Sequence, residues 1–242
     1  MTRLVLLRHG QSEWNLENRF TGWVDVNLTA EGEAQARQSG QLMKDAGFAP
    51  TYAFASYLKR AIRTCWLSLE ELDRVWIPVE KHWRLNERHY GLLTGLNKSE
   101  TAQQHGEDMV HIWRRSYDTP PPALPLDDER HARFDPRYSH VDVKDLPLSE
   151  SLKTTLERVA PYWENAIAPK ILAGEDVIIA AHGNSLRALV KMLFQLDQNQ
   201  IMEIEAPTGN PLLIEMEGLR PVDVRYLDED RATGLPPIPA AV

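Results

Sequence analysis

The segment from Arg8 to Asn15 combines residue types that suit a phosphate site. In order it reads Arg8-His9-Gly10-Gln11-Ser12-Glu13-Trp14-Asn15. A glycine lets the backbone approach an anion closely, the end of a following helix offers free N–H groups, and an arginine presents a planar fork of donors. A histidine nucleophile attacks through a neutral nitrogen, and nearby guanidinium charges lower the pKa of an imidazole. This composition therefore indicates a phosphate site, in which His9 is a candidate nucleophile.

A second histidine-glycine pair, His182-Gly183, stands at the end of an apolar run like the one before His9. The two runs, Leu4 to Leu7 and Val177 to Ala181, are short and uninterrupted, which predicts strands buried on both faces. In an open α/β sheet, ligands bind outside the carboxyl ends of the strands. We therefore expect both pairs to line one pocket.

Segments of helical character lie between and after the two runs. Apolar residues at helical spacing predict helices over 30–46, 60–72 and 151–172, and a further helix begins near Ser185. Thr29 is the expected N-cap of the first helix, and Gly47 closes it. Strands that alternate with such helices predict an α/β fold, a three-layer sandwich in which helices flank a mostly parallel sheet.

Two regions depart from this alternation. Residues 90–147 contain Pro120-Pro121-Pro122 and a mixed-charge run, and we interpret them as a long insertion that forms a lid over the carboxyl ends of the strands. Residues 219–242 are rich in charge, proline and glycine, which is typical of a flexible, partly disordered tail. We expect both regions to belong to a single domain spanning residues 1–242, since 43% hydrophobic residues suffice for one large core.

The charge balance excludes several classes of partner. The chain has 27 Lys and Arg against 35 Asp and Glu, a net charge of -8, so we expect no binding to nucleic acid or to an anionic membrane. Any anion site must therefore be a local concentration of arginine. Cys65 is the only cysteine, so no internal disulfide forms. The sequence shows neither a secretory signal nor a membrane span, and we expect a soluble cytoplasmic protein. No metal is predicted, because no ligand spacing such as His-Glu-x-x-His occurs.

Several ordered motifs resemble a known family. Leu6-Leu7-Arg8-His9-Gly10 resembles the signature of the histidine phosphatase superfamily. The branch that it most resembles is that of the phosphoglycerate mutases that depend on 2,3-bisphosphoglycerate. The further motifs that carry this resemblance are Asn18-Arg19-Phe20-Thr21-Gly22-Trp23, Leu58-Lys59-Arg60-Ala61, Glu87-Arg88-His89-Tyr90-Gly91, Leu96-Asn97-Lys98, Ala181-His182-Gly183-Asn184-Ser185-Leu186-Arg187 and Pro207-Thr208-Gly209. The resemblance extends from Leu4 to about Glu217, and Gln11 departs from it, since many relatives have Glu there.

The resemblance implies a role for each matching residue. His9 becomes phosphorylated, Glu87 acts as proton donor and acceptor for the substrate hydroxyl, and His182 stabilises the transferring phosphoryl group. The residues implied to hold the phosphoryl group are Arg8, Asn15, Arg60, Gly183 and Asn184. Those implied to touch the substrate are Ser12, Thr21 and Gly22, and those implied to grip its other charged end are Tyr90, Lys98, Arg114 and Arg115.

The resemblance also implies an activity and its setting. The activity is that of an isomerase of glycolysis and gluconeogenesis, which interconverts 3-phosphoglycerate and 2-phosphoglycerate through a phosphohistidine at His9. 2,3-Bisphosphoglycerate primes the histidine and is also the intermediate, which reorients within the site. The implied partners are small-molecule phosphoglycerates, and the implied assembly is a homodimer or a homotetramer.

Three alternatives stay open at this point. A phosphatase of the same superfamily uses the same histidine but passes the phosphoryl group to water, and Lys98, Arg114 and Arg115 argue against it because they suit a carboxylate-bearing substrate. A non-catalytic protein that binds phosphate or a partner is expected to have lost a chemical group, yet His9 and Glu87 are present together with His182. A bisphosphoglycerate synthase uses the same residues with different relative rates, and the sequence does not separate it from a mutase.

Overall fold

A six-stranded sheet forms the centre of the molecule. The computed structural model describes residues 1–240. The strands are β1 (Thr2–Arg8), β2 (Tyr52–Ala55), β3 (Val79–Lys81), β4 (Val177–Ala181), β5 (Leu212–Glu217) and β6 (Arg220–Tyr226). Their order in the sheet is β3-β2-β4-β1-β5-β6. The first four strands pair in parallel, β5 pairs antiparallel with β1, and β6 pairs antiparallel with β5. The prediction of a mostly parallel sheet is therefore confirmed.

The four predicted helices are present, and the structure adds four short helices that were not predicted. The helices are α1 (Glu13–Leu16), α2 (Ala30–Asp45), α3 (Lys59–Glu71), α4 (Lys98–His105), α5 (Glu107–Arg115), α6 (Leu152–Tyr162), α7 (Ala168–Leu172), α8 (Gly183–Leu193) and α9 (Gln200–Glu203). Those that were not predicted are α1, α4, α5 and α9. Thr29 caps α2 by accepting from the Gly32 N–H, as predicted. The helix predicted over 151–172 widens into a π-helical turn at Trp163–Ile167, between Pro161 and Pro169, whose nitrogens carry no hydrogen to donate.

Two apolar layers sandwich the central strands. Residues alternate along β1, so that Leu4 packs on one face of the sheet with α6 and α8, while Val5 packs on the other face beside residues of α2 and α3. The central strands β1 and β4 are almost wholly buried, which explains their uninterrupted apolar sequences. This arrangement confirms the three-layer sandwich.

The register of the two central strands sets the position of the site. β1 and β4 pair from Leu4 with Val177 to Arg8 with Ala181, and the His9 N–H then donates to the Ala181 carbonyl at 3.1 Å. Both strands therefore end side by side. The two predicted histidine-glycine pairs follow directly.

The segment interpreted as an insertion has little regular structure beyond α4 and α5. It continues through short 3-10 turns at Ala132–Phe134, Pro136–Tyr138 and Val143–Asp145. A small cluster that includes Trp23, Trp83 and Tyr138 packs part of it against the rest of the chain. Its role as a lid stays a prediction.

The prediction of a partly disordered tail is wrong for residues 220–226. These residues form β6, which pairs with β5 at the edge of the sheet. Val224 and Tyr226 are buried while Asp223 and Arg225 are exposed, so the charges lie on the solvent face of a strand with one buried face. The run of alternating apolar residues is short there, and Pro221 hides the period-two pattern. The final residues 241–242 lie outside the described part.

Across residues 1–240, no helix combines the length and the apolar character that a membrane crossing requires.

Candidate active site

A cavity of about 160 Å³ opens at the carboxyl ends of β1 and β4. All the predicted site residues line it except Ser12 and His182. We call one group of side chains the floor: Arg8, His9, Arg60, Glu87 and His182. We call a second group, from the segment interpreted as an insertion, the rim: Lys98, Arg114 and Arg115.

The cavity concentrates positive charge in an acidic protein. Its lining includes two carboxylates, Glu87 and Glu205, and seven cationic side chains: Arg8, Arg19, Arg60, Lys98, Arg114, Arg115 and Arg187. The whole chain carries a net charge of -8. The expected local concentration of arginine is therefore confirmed, and it makes the cavity suitable for a small anion with several charges.

His9 is held in one tautomer. Its Nδ1 lies 2.7 Å from the Gly10 carbonyl oxygen, which can only accept, so Nδ1 carries the proton. The other ring nitrogen, Nε2, keeps its lone pair and accepts from Arg60 Nε at 3.3 Å. The nitrogen on the arginine side of the ring is therefore the nucleophilic one.

Burial is the main reason why His9 is neutral. The side chain is almost fully buried, and its pKa lies well below the usual value of 6.5, first through loss of solvation and then through the charges of Arg60 and Arg8. The lowered pKa was predicted from the sequence. The main cause was not predicted. The sequence pointed to the guanidinium charges, whereas burial lowers the pKa of His9 more than they do.

Arg60 is fixed by the turn that follows α1. Its Nη2 and Nη1 donate to the carbonyls of Gly22 and Val24, both at 2.8 Å, while Nε points at His9. Burial lowers the pKa of Arg60 to about 10, so the guanidinium stays charged at neutral pH. The first turn of α3 thus presents a fixed positive charge beside the nucleophile.

The turn after His9 does not offer the free N–H groups that the sequence predicted. The Gly10 N–H donates to Thr64 Oγ1 at 3.1 Å, and the Gln11 N–H donates to Gln35 Oε1 at 2.9 Å. Gly10 also serves a different purpose, since a Cβ there would lie 2.1 Å from the Gly32 carbonyl oxygen. The glycine therefore permits close packing against the start of α2, while side chains of α3 and α2 accept from the Gly10 and Gln11 N–H groups.

Ser12 lies behind the cavity wall. It is fully buried and is the N-cap of α1, accepting from the Asn15 N–H at 3.2 Å, while Asn15 Oδ1 accepts from the Ser12 N–H at 3.1 Å. Asn15 does line the cavity. The structure thus separates this predicted pair into one residue that faces the cavity and one that orients it.

Glu87 is anchored through one carboxylate oxygen. Its Oε1 accepts from the Arg88 N–H at 2.8 Å and from the Asn184 N–H at 3.0 Å. The other oxygen, Oε2, lies 3.7 Å from the place where a Cβ on Gly183 would be. The side chain is therefore held at the cavity with one oxygen committed to the backbone.

Two polar atoms of the floor are buried without a partner among the described residues. Within residues 1–240, neither Arg8 Nε nor His182 Nδ1 makes a hydrogen bond. The rest of each side chain is held: Arg8 Nη1 donates to the Ala206 carbonyl at 2.8 Å, and His182 Nε2 lies 2.7 Å from Ser56 Oγ. Burying an unpaired donor is unfavourable unless a partner arrives, and Arg8 lines the cavity, so Arg8 Nε marks a place for a ligand.

His182 lies against His9. Their ring centroids are 5.0 Å apart, and burial keeps the pKa of His182 well below its usual value, with further lowering by Arg60 and His9. Helix α8 begins immediately afterwards at Gly183, and both Gly183 and Asn184 line the cavity. The positive end of an 11-residue helix therefore faces the cavity here, the feature that was expected after His9.

The rim is less firmly held. Lys98 has its pKa lowered to about 8 by burial and by the charges of Arg114 and Arg8. Arg114 is exposed, and Arg115 forms an ion pair with Glu205. The rim therefore supplies positive charge, part of which a carboxylate of the protein already neutralises.

Sequence reasoning missed five residues of the cavity lining. They are Arg19, Phe20, Arg187, Glu205 and Ala206. Arg187 had a readable signal, because it stands three residues after Asn184 on the same helix face and donates to Asn184 Oδ1 at 3.1 Å. Glu205 had no such signal in the sequence, since only the fold brings it to the rim. Within residues 1–240, no group of three or more His, Cys, Asp or Glu side chains is arranged to hold a metal ion.

Comparison with known proteins identifies relatives over the whole chain. Residues 4–141 match the model of the histidine phosphatase superfamily (branch 1). The chain is 62% identical over 243 residues to a 2,3-bisphosphoglycerate-dependent phosphoglycerate mutase of Maricaulis maris, covering 100% of both chains. It is 60% identical over 240 residues to the protein of that name in Hyphomonas neptunium, covering 99% of this chain and 100% of the relative.

Solved structures share the fold at much lower identity. A mycobacterial glucosyl-3-phosphoglycerate phosphatase, solved as a complex with VO3, superimposes with a TM-score of 0.68 at 22% identity, covering 89% of this chain and 93% of the other. This likeness concerns the fold alone.

Proposed function

The chain belongs to the 2,3-bisphosphoglycerate-dependent phosphoglycerate mutases of the histidine phosphatase superfamily, and we infer that it interconverts 3-phosphoglycerate and 2-phosphoglycerate through a phosphohistidine at His9. This reaction belongs to glycolysis and gluconeogenesis. The observation that carries the inference is the meeting of a neutral His9 Nε2, the Arg60 guanidinium and Glu87 around one cationic cavity.

The donors of the floor fit a phosphoryl group. Arg8 Nε is buried without a partner among the described residues and lines the cavity, and Gly183 and Asn184 at the start of α8 line the same cavity. Phosphoryl transfer develops charge on the equatorial oxygens, so a fixed set of such donors is what the reaction requires. When bound, 2,3-bisphosphoglycerate supplies the phosphoryl group that loads His9.

His9 and Glu87 divide the chemistry between them. His9 Nε2 forms an N–P bond as the O–P bond of the donor breaks, and Glu87 gives a proton to the departing oxygen. In the opposite direction, Glu87 accepts the proton of the attacking hydroxyl while the N–P bond breaks and Nε2 regains its lone pair. The Oε1 contacts to the backbone leave Glu87 Oε2 as the oxygen that carries this proton.

The rim is proposed to bind the second charged group of the substrate and to help exclude water. Lys98 and Arg114 line the cavity from α4 and α5, and Tyr90 completes this side. A phosphohistidine that meets water is hydrolysed, so a mutase needs such a barrier. The cationic rim favours a mutase over a phosphatase because a small substrate with two charged ends satisfies it.

A coupled assay for 2-phosphoglycerate formation, run with and without 2,3-bisphosphoglycerate, tests the proposal. We expect strong stimulation by 2,3-bisphosphoglycerate, and inorganic phosphate release far slower than isomerisation. Faster hydrolysis than isomerisation would assign the chain to the phosphatases. Rapid net formation of 2,3-bisphosphoglycerate from a triose phosphoryl donor would assign it to the synthases.

Three further expectations accompany this function. Activity is expected to persist in a chelator, since the proposed chemistry uses no metal. A homodimer or homotetramer is expected from the family resemblance, and sedimentation velocity measures it. A cytoplasmic location is expected on the same grounds, and fractionation of the source cells tests it.

A further inference from the structure

We propose that Arg158 and Glu150 are positioning residues that hold Glu87 in place for proton transfer. This inference rests on the proposed function, in which Glu87 is the acid and base. Neither Arg158 nor Glu150 lines the cavity. They act, on this view, through the backbone of the segment that carries Glu87.

Glu87 belongs to a segment without regular structure. It lies between the 3-10 turns Trp83–Leu85 and Gly91–Leu93. No helix or strand of its own therefore fixes its backbone, and a buried carbonyl in such a segment needs a partner from elsewhere. The position of the carboxylate depends on where those partners are.

Arg158, on α6, supplies the partners for the carbonyls. Its Nη2 donates to the carbonyls of Asn86 at 3.1 Å and Glu87 at 3.2 Å. Its Nη1 donates to the carbonyl of Arg84 at 2.5 Å. One guanidinium thus spans the backbone on the N-terminal side of the Glu87 side chain.

Glu150 holds the other side of the segment. It pairs with Arg158 through Nε and Oε1 at 2.6 Å and through Nη2 and Oε2 at 3.0 Å. Its Oε2 also accepts from the His89 N–H at 2.8 Å, and its own N–H donates to the His89 carbonyl at 2.8 Å. The backbone is therefore clamped on both sides of Glu87.

We call the pair Arg158 and Glu150 the clamp. The clamp is buried, and its contacts require an arginine and a carboxylate. The two side chains are 5% and 3% exposed. A buried ion pair contributes little net stability because both charges lose their hydration, so stability alone is a weak reason for it. A planar fork with five donors can hold several carbonyls and a carboxylate together, whereas a lysine cannot.

The clamp also reaches the other half of the floor. Trp23 Nε1 donates to the Glu87 carbonyl at 2.6 Å, and the Arg158 guanidinium carbon lies 5.5 Å from the centre of a Trp23 ring. The neighbours of Trp23 in the chain, Gly22 and Val24, provide the carbonyls that fix Arg60. The acid-base group and the guanidinium beside His9 are thus set relative to each other.

Arg158→Lys and Glu150→Gln test the clamp in the full-length enzyme. A misplacement of about 1 Å costs about 100-fold in rate. We therefore expect kcat to fall about 100-fold in Arg158→Lys and about tenfold in Glu150→Gln, with KM within about twofold because the rim is unchanged. Inhibition by orthovanadate, a phosphoryl mimic, is expected to stay within about threefold of the wild type, since Arg8, Arg60 and His182 are intact.

A double-mutant cycle separates positioning from general disruption. If Arg158 acts only through Glu87, the double variant Glu87→Gln with Arg158→Lys is about as slow as Glu87→Gln alone. Arg3→Lys is the matched control, because it weakens a 2.6 Å ion pair with Asp176 at the far end of β1. It should lower the melting temperature and leave kcat unchanged.

The possible results assign the failure to one proposal or the other. Wild-type kcat in both clamp variants would overturn the clamp, as would additive losses in the cycle. Equal losses in kcat, substrate affinity and vanadate inhibition would also overturn it, because they indicate a collapsed site. If Arg158→Lys does not fold, Glu150→Gln decides on the same criteria. Absence of isomerisation by the wild type contradicts the proposed function instead.

Discussion

The floor and the rim of the cavity hold their positive charges in different ways. Arg60 in the floor is almost fully buried and donates to two backbone carbonyls, and Arg8 donates to a third. Arg114 in the rim is exposed, and Arg115 pairs with Glu205, a side chain that is 44% exposed. One group is fixed by the backbone of the central fold, and the other depends on side chains near solvent.

This difference assigns separate tasks to the two groups. Donors that are already fixed can stabilise developing charge without reorganisation, which lowers the barrier of the chemical step. Charges on exposed or half-buried side chains bind the ground state and the transition state about equally, which affects KM. The comparison therefore predicts that floor variants have a lower kcat and rim variants a higher KM.

The largest effect is expected for His9→Gln. Removal of the nucleophile should lower kcat on the order of 10⁴-fold or more, because the variant lacks the imidazole nitrogen that forms the N–P bond. Mass spectrometry after incubation with 2,3-bisphosphoglycerate should show an acid-labile phosphoryl adduct on wild-type His9 and none on the variant. A wild type without an adduct would favour a non-catalytic, phosphate-binding protein.

Arg60→Lys should produce the next largest effect. A lysine cannot keep both carbonyl hydrogen bonds and still point at His9, so we expect kcat to fall about 10² to 10³-fold. Steady-state kinetics measure the change. Arg63→Lys, one turn further along α3 on the surface, is the matched control and should keep full activity. A change confined to KM would break the division between floor and rim.

Arg114→Gln should raise KM for 3-phosphoglycerate about tenfold, the usual effect of removing one charge-assisted hydrogen bond near solvent. We expect kcat to stay within about twofold, since Arg114 makes no hydrogen bond to His9. Arg133→Gln, in the same segment and outside the cavity, controls for the change in net charge. A fall in kcat of about 100-fold would show that the rim takes part in the chemical step.

The pH dependence of KM should report Lys98. Its pKa is lowered to about 8 in the free enzyme, so the positive charge is present below that pH and disappears as the pH rises through it. We expect KM to rise about fivefold between about pH 7 and pH 9, roughly half the effect of removing a whole charge-assisted hydrogen bond. In Lys98→Arg the charge persists, and KM should stay level over this range.

The smallest effect is expected for Glu205→Gln. Without its carboxylate partner, Arg115 is free to bind an anion, so KM should fall about threefold, within the range of an exposed ion pair. Glu203→Gln is the control, because this exposed residue has the same charge and lies outside the cavity lining. An increase in KM would instead indicate that the Arg115–Glu205 pair orients the rim.

Local sequence patterns were enough to identify the part of the floor that follows β1 and β4. The apolar runs before His9 and His182 predicted two buried strands, and parallel strands bring their carboxyl ends to one edge of a sheet. The family resemblance then added Arg60 and Glu87. The same patterns failed for β6, whose buried face is marked by only a few alternating residues among charges.

The sequence by itself determined the residue types of the site, the parallel centre of the sheet and the family. Only the tertiary structure decided that Gly10 serves packing, that Ser12 lies behind the wall, that Glu205 reaches the rim and that Arg158 clamps the segment of Glu87. The physical reason is the distance along the chain between the residues that interact. Strand and helix patterns follow from neighbours along the chain, whereas a hydrogen bond to a buried carbonyl depends on segments about 70 residues apart that meet only in the folded core.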